Sequence, residues 1–412
     1  MVELRPLYTG YKPKASIKER PEDFVVNEIT PSGFVLSPGA RYSGKDLGIE
    51  GYESGSYSIF VMQKRGWNTI QALGAIAKAL GRSNKTAGFA GTKDRRSLSV
   101  QLCSIKGVKP EELLGLRIAD ISINGAWRSE SGIKLGELKG NAFEIVARCS
   151  GTAEVDSINK ANDFLGGLFP NYYGLQRFGA RGNNIDIGLA MLKGDFEAAV
   201  TRFLTDNANE NDADAKEARA RFAAEMDFKS ALGYFPKHLK YERRILAYLA
   251  EYGPNYRGAL RSLPRQLLMM FVHSVESDIF NKVVERMVEE GHTAPVHGDL
   301  SCRADSYGFP DYSSVSADSA SDARFVLANI VGYDTKILSQ QEKDILEEYG
   351  IGTDDFKLKQ MPELRAKGSY RAAFAPYKNF NADCEGSKLI LGFSLPAGSY
   401  ATVLLSEFID FA

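Results

Sequence analysis

The 412-residue sequence has little of what most readily announces a function. It contains four cysteines, Cys103, Cys149, Cys302 and Cys384, far apart and without paired spacing, which argues against a disulfide framework and against a zinc site. Histidines also number four, His238, His273, His292 and His297, and they form no zinc-finger pattern with the cysteines. No metal is expected. Charge of one sign is not in excess either, because 51 Lys and Arg face 52 Asp and Glu for a formal net charge of -1. Such a chain does not grip nucleic acid wherever it touches it, so any RNA site has to be a local basic patch. No apolar run approaches membrane-spanning length. The start, Met1-Val2-Glu3-Leu4-Arg5, has neither a basic stretch before an apolar core nor an Arg-rich transit pattern. A cytoplasmic protein with no membrane contact is expected, with a monomer as the simplest assembly and no protein partner implied. The phosphate-binding pattern G-x-x-x-x-G-K-[ST] is missing. So are the H-x-E and P-C-x-x-C elements of a nucleobase deaminase.

What is present is a chain of globular composition, 44% hydrophobic and 25% charged, too long for one ordinary core. Its centre of interest is the polar loop from Thr86 to Gln101. Asp94 stands between Lys93 and Arg95, with Arg96 next, and those cations favour its ionised form if they point toward it. Gly88 and Gly91 permit close backbone approach. After the loop Leu98, Val100 and Leu102 alternate with Ser99, Gln101 and Cys103, the pattern of a half-buried strand.

Around this loop the chain alternates strands and helices. Phe24 to Ile29 has strand character after the turn at Pro21, and the run from Tyr57 to Lys64 reads as a strand covered on both faces. Asn68 then caps a helix with Leu73, Ile76, Ala77 and Leu80 at helical spacing, closed by Gly81. Strands are expected at Ile118 to Ile123 and Phe143 to Arg148, with Gly140-Asn141 as the turn or kink that places Phe143 at a strand start. Further on, the segment around Tyr172, Tyr173, Arg177, Phe178 and Arg181 interleaves stacking rings with cations, as single-stranded nucleic acid recognition requires. Helices are expected at Lys240 to Tyr252 and Leu263 to Glu290, and a mobile Ser- and Asp-rich loop at Arg303 to Arg324. A last strand, Leu389 to Leu395, precedes Pro396-Ala397-Gly398-Ser399-Tyr400. These elements give an α+β fold with a mixed, mostly antiparallel sheet and flanking helices.

Four ordered blocks carry a family resemblance: Ala90-Gly91-Thr92-Lys93-Asp94-Arg95 with Ser99 and Gln101; Leu138-Lys139-Gly140-Asn141-Ala142-Phe143; Asn171-Tyr172-Tyr173-Gly174-Leu175-Gln176-Arg177-Phe178-Gly179; and Leu395-Pro396-Ala397-Gly398-Ser399-Tyr400-Ala401-Thr402. Together they resemble the TruD family of tRNA pseudouridine synthases. The resemblance implies a pseudouridine-synthase-type catalytic domain in two parts, residues 1–170 and 371–412, interrupted by an inserted, mainly helical α+β domain at 171–370 that grips RNA. It implies Asp94 as the catalytic residue, a tRNA substrate with uridine 13 as the usual target, and no cofactor. Asn141 and Phe143 would border the base, and Lys18, Lys93, Arg95 and Arg177 are the candidate cations for Asp94 and the phosphates. A competing reading is a non-catalytic RNA-binding or RNA-chaperone protein, for which Asp94 would be dispensable.

Overall fold

A computed structural model describes residues 4–48, 55–151, 155–317 and 322–411. The chain divides into two compact units, one comprising Pro6–Pro170, Arg303–Asp311 and Ala375–Ala412, the other Met1–Arg5, Asn171–Cys302 and Tyr312–Phe374.

The first unit is built on a ten-stranded sheet. Its strands are β1 (Lys14–Ser16), β2 (Phe24–Ile29), β3 (Tyr57–Arg65), β4 (Ala87–Phe89), β5 (Leu98–Lys106), β6 (Ile121–Ser129), β7 (Gly140–Cys149), β8 (Lys378–Glu385) and β9 (Lys388–Pro396), with Asp410–Phe411 beside β1. The main order is β8-β9-β7-β2-β5-β3-β6. Every neighbouring pair on that path is antiparallel except β2 with β5. The α+β class and its mostly antiparallel sheet are as the sequence pattern implies.

Two apolar layers fix the sheet. On one face the helix α1 (Thr69–Ala79) packs Ala72, Leu73, Ile76 and Ala77 onto Phe60, Met62, Cys103 and Ile105. On the other, Leu36 and Leu47 cover Ile59, Val61, Val100, Leu102 and Trp127. The side chain of Asn68 accepts a hydrogen bond from the Gln71 amide, and Gly81 is left-handed at φ +66°, so the helix starts and stops where its capping residues direct.

The structure departs from three local expectations. Strand β5 is buried on both faces, with Ser99 and Gln101 fully enclosed, because it is central and its polar face lies under a loop. The expected strand at Ile118 begins at Ile121 instead, since Asp120 adopts a left-handed φ of +60° and closes a tight bridge between Ile118 and Ile121. Gly140-Asn141 is no turn. Both residues already belong to β7, where a side chain at Gly140 would collide with the Leu395 carbonyl 2.1 Å away; glycine serves close strand packing there.

The second unit packs helices around the long helix Arg265–Glu290, whose Phe271, Val272, Val275, Ile279, Phe280 and Val284 are buried. Beside it lies a three-stranded sheet of Ser301–Cys302, Phe325–Ile330 and Ser369–Ala372. The helix Lys240–Tyr252 has the bounds that its periodicity implies. Part of the expected Arg303–Arg324 loop lies outside the described residues. Cys384 is exposed, whereas Cys103 and Cys302 are buried. Among the described residues no helix is long and apolar enough to cross a membrane.

Candidate active site

Strand register assembles one face of the site. Lys64 on β3, Ser99 on β5, Val26 on β2, Phe143 on β7 and Phe393 on β9 stand opposite one another in a single row. Two residues further along, Glu28, Asn141 and Leu395 form the next row. Because side chains alternate across a strand, these residues share a face. Phe143 is almost enclosed there, its ring 6.0 Å from that of Phe24 and 5.3 Å from that of Phe393.

The loop between β4 and β5 crosses this face and carries Asp94. Polar side chains buried in the sheet and in α1 hold it. Thr69 Oγ1 accepts from the Lys93 amide and donates to Gln101 Oε1, both at 2.8 Å, and Gln101 Nε2 donates to the Gly91 carbonyl at 3.0 Å. Ser97 Oγ donates to the Asp94 carbonyl at 2.8 Å. The buried ammonium of Lys64 donates to three carbonyls, Trp67 at 2.6 Å, Lys93 at 3.3 Å and Asp94 at 3.1 Å. Hydrogen bonds to a charged group are worth about 1.5–3 kcal/mol each, so Lys64 is the strongest single fastener of this loop. The sequence reading passed over Lys64 and Thr69. Their signal was faint: Lys64 stands between Gln63 and Arg65 at the polar end of an apolar strand, and Thr69 at the first position of a helix.

Burial pushes the Lys64 amine down to about 8, helped by the nearby Lys93 cation and opposed by Asp94. Its folded value lies below the usual 10.5, so folding stability on this account rises between pH 8 and 10.5 rather than falling. That net gain is global, and the local effect on the loop is a loss of hydrogen bonds. Above about pH 8 the neutral amine has two donors for three carbonyls, and the loop loosens. Turnover should therefore decline with an apparent pKa near 8, and the pH profile of Lys64→Arg should lack that limb. The measurement is kcat from pH 7 to 10.

Asp94 itself is half exposed and bonded to a cation, but the cation is not a loop neighbour. Lys18 Nζ lies 2.7 Å from Asp94 Oδ2 and 4.2 Å from the Phe24 ring centroid. Lys18 has a left-handed φ of +60°. A half-exposed ion pair contributes about 0–1 kcal/mol, whereas a non-glycine residue in this region costs about 1–3 kcal/mol. The pair does not offset the strain, and positioning of the ammonium is the better account of it. Lys18→Gly should leave the melting temperature unchanged or raised while lowering turnover about 10²-fold or more, the scale of losing one preorganised charge; calorimetry beside an activity assay checks both.

The other expected site residues separate. Lys93 does not face a phosphate or Asp94: its ammonium is buried 2.8 Å from Glu28 Oε2, and Glu28 Oε1 accepts from the Leu102 amide at 3.0 Å. Arg95 is exposed, with its Nε donating to the Gly66 carbonyl at 3.3 Å. The Asn141 Oδ1 atom is buried without a hydrogen-bond donor, an unmet acceptor on the same sheet face as Phe143. Arg177 belongs to the other unit, where its Nε donates to Ser277 Oγ at 3.0 Å and its guanidinium lies 5.3 Å from the Tyr173 ring centroid. Among the described residues no group of three or more His, Cys, Asp or Glu is placed to hold a metal ion.

Comparison with known proteins decides the family. The model of tRNA pseudouridine synthase D (TruD) matches residues 8–408. The chain belongs to the TruD family. A Methanopyrus kandleri protein named "Probable tRNA pseudouridine synthase D" is 34% identical over 86% of this chain and 85% of its own length. A Thermococcus sibiricus protein of the same name is 33% identical, covering 95% of this chain and 94% of that one. The solved TruD structure from Methanosarcina mazei superimposes with a TM-score of 0.78 at 29% identity, over 98% of this chain and 95% of that chain.

Proposed function

We propose that this TruD-family protein isomerises a uridine of tRNA, at position 13, to pseudouridine, with Asp94 as the essential carboxylate. The observation that carries the reading is the Asp94–Lys18 pair held above a sheet face that offers an enclosed aromatic ring and an unmet amide oxygen. In the reaction the bond from ribose C1′ to uracil N1 breaks, the base turns, and C1′ bonds to C5. The C5 hydrogen leaves as a proton and N1 gains one, so no oxidant, reductant or cofactor is consumed. A carboxylate can serve as a nucleophile at C1′ or C6 or as a base at C2′, and the Lys18 ammonium keeps Asp94 beside a charge that offsets its own.

A uridine inside a folded RNA reaches such a site only when taken out of its stack, at a cost of a few kcal/mol. Phe143 offers the ring against which the freed base rests, and base–aromatic stacking is worth about 1–3 kcal/mol. Asn141 Oδ1 offers an acceptor for the uracil N3–H. The two-part catalytic domain at 1–170 and 371–412 then works with an RNA-gripping domain at 171–370, in which the partly exposed Arg177 supplies charge; its neighbour Tyr173 is buried and supports the arginine from within.

The test is an unmodified tRNA transcript incubated with the protein and mapped for pseudouridine by carbodiimide adducts that stop primer extension. One stop, at position 13, is expected. Tight binding with no stop anywhere would favour the non-catalytic RNA-binding reading.

A further inference from the structure

Beside the Asp94 loop lies a surface hollow of about 600 Å³ that the reaction as derived does not use. That volume is within the range of clefts that take small organic ligands. Its walls are chemically mixed. Trp67 is anchored through its indole N–H to the Ala119 carbonyl at 3.3 Å, which fixes the ring. Ile70, in the first turn of α1, is 62% exposed, whereas Leu73, Ile76 and Ala77 of the same helix are buried. Gly74 leaves the floor open: a side chain there would meet the Asn84 amide nitrogen at 3.2 Å. Gln71 adds a second amide, and Arg95 lines the same hollow. Among the described residues Arg95 hydrogen-bonds through Nε, which leaves its terminal N–H groups for a ligand.

We propose that this hollow is a subsite for the nucleotide adjacent to the target uridine in the same RNA strand, which rests on the reading of the site given above. The neighbour of an extruded base has lost a stacking partner, and single-stranded bases are held by aromatic and apolar faces with cations on their phosphates. Trp67 and Ile70 form the stacking face, and the amides of Gln71 and Asn84 meet the base edge. Arg95 takes the phosphate. Arg95 and Asp94 belong to one short loop, so the hollow and the reacting residue are within the span of consecutive nucleotides.

The test uses tRNA carrying 2-aminopurine at either neighbour of the target uridine, with fluorescence and affinity followed on binding. Quenching at one neighbour is expected with the parent and with Trp67→Phe, and its loss with Trp67→Ala together with about tenfold weaker binding. Ile70→Ser, at an exposed position where folding is not at stake, should reduce the same quenching. No quenching at either neighbour, or quenching unchanged by Trp67→Ala and Ile70→Ser, would overturn the subsite. The binding signal is independent of catalysis. Quenching without isomerisation would sink the reaction and keep the subsite, and isomerisation without quenching would do the reverse.

Discussion

Asp94→Asn is expected to lower pseudouridine formation by about 10⁴-fold or more, the scale of losing a nucleophile or essential base, with tRNA affinity nearly unchanged. The change is nearly isosteric. The loop is held by its backbone carbonyls through Lys64 and Ser97 and by the Lys93 amide through Thr69, none of which needs the Asp94 carboxylate. What disappears is the charge facing Lys18 and the oxygen able to attack or abstract. Single-turnover rates and filter-binding titrations separate the two effects. A variant that binds poorly would mean that the carboxylate shapes the loop after all.

Glu28→Ala should have the largest effect on stability. The Glu28–Lys93 pair is almost completely enclosed, with side chains 1% and 3% exposed. Removing the carboxylate leaves a buried ammonium unpaired and the Leu102 amide without its acceptor. Breaking such a pair costs about 3–5 kcal/mol, so the urea midpoint of the sheet unit should fall steeply. The double variant Glu28→Leu with Lys93→Met should recover the part of that loss due to the unpaired ammonium, because an apolar pair needs no charge compensation, while the Leu102 amide still lacks its acceptor. A single variant costing under about 1 kcal/mol would mean that Lys93 finds water on opening.

How much of this was legible in the sequence depends on the range of the interaction. Local signals translated well. The Asn68 cap, the Gly81 terminator and the strand at Phe24 to Ile29 follow from neighbouring residues and fall where the pattern puts them. The site depends on register between strands far apart in sequence, and there the local view left open which cation pairs with Asp94. Lys93 and Arg95 adjoin Asp94 in sequence, yet Lys18, 76 residues away, makes the ion pair. Successive side chains on a loop point in different directions, so adjacency did not decide which cation faces the carboxylate. Gly140 similarly looked like a turn residue because the Leu395 carbonyl it accommodates comes from a strand some 250 residues later, which no window on the sequence includes.

The most direct measurement is tritium release from a tRNA transcript labelled at uracil C5, run with the parent and with Asp94→Asn. C5 has to lose its hydrogen when it becomes the glycosidic carbon. Release by the parent approaching one tritium per tRNA, and none by the variant while it still binds tRNA, is the expected result. Equal release by both proteins, or none by either with binding intact, would contradict the account of Asp94 as the essential carboxylate of a pseudouridine-forming site.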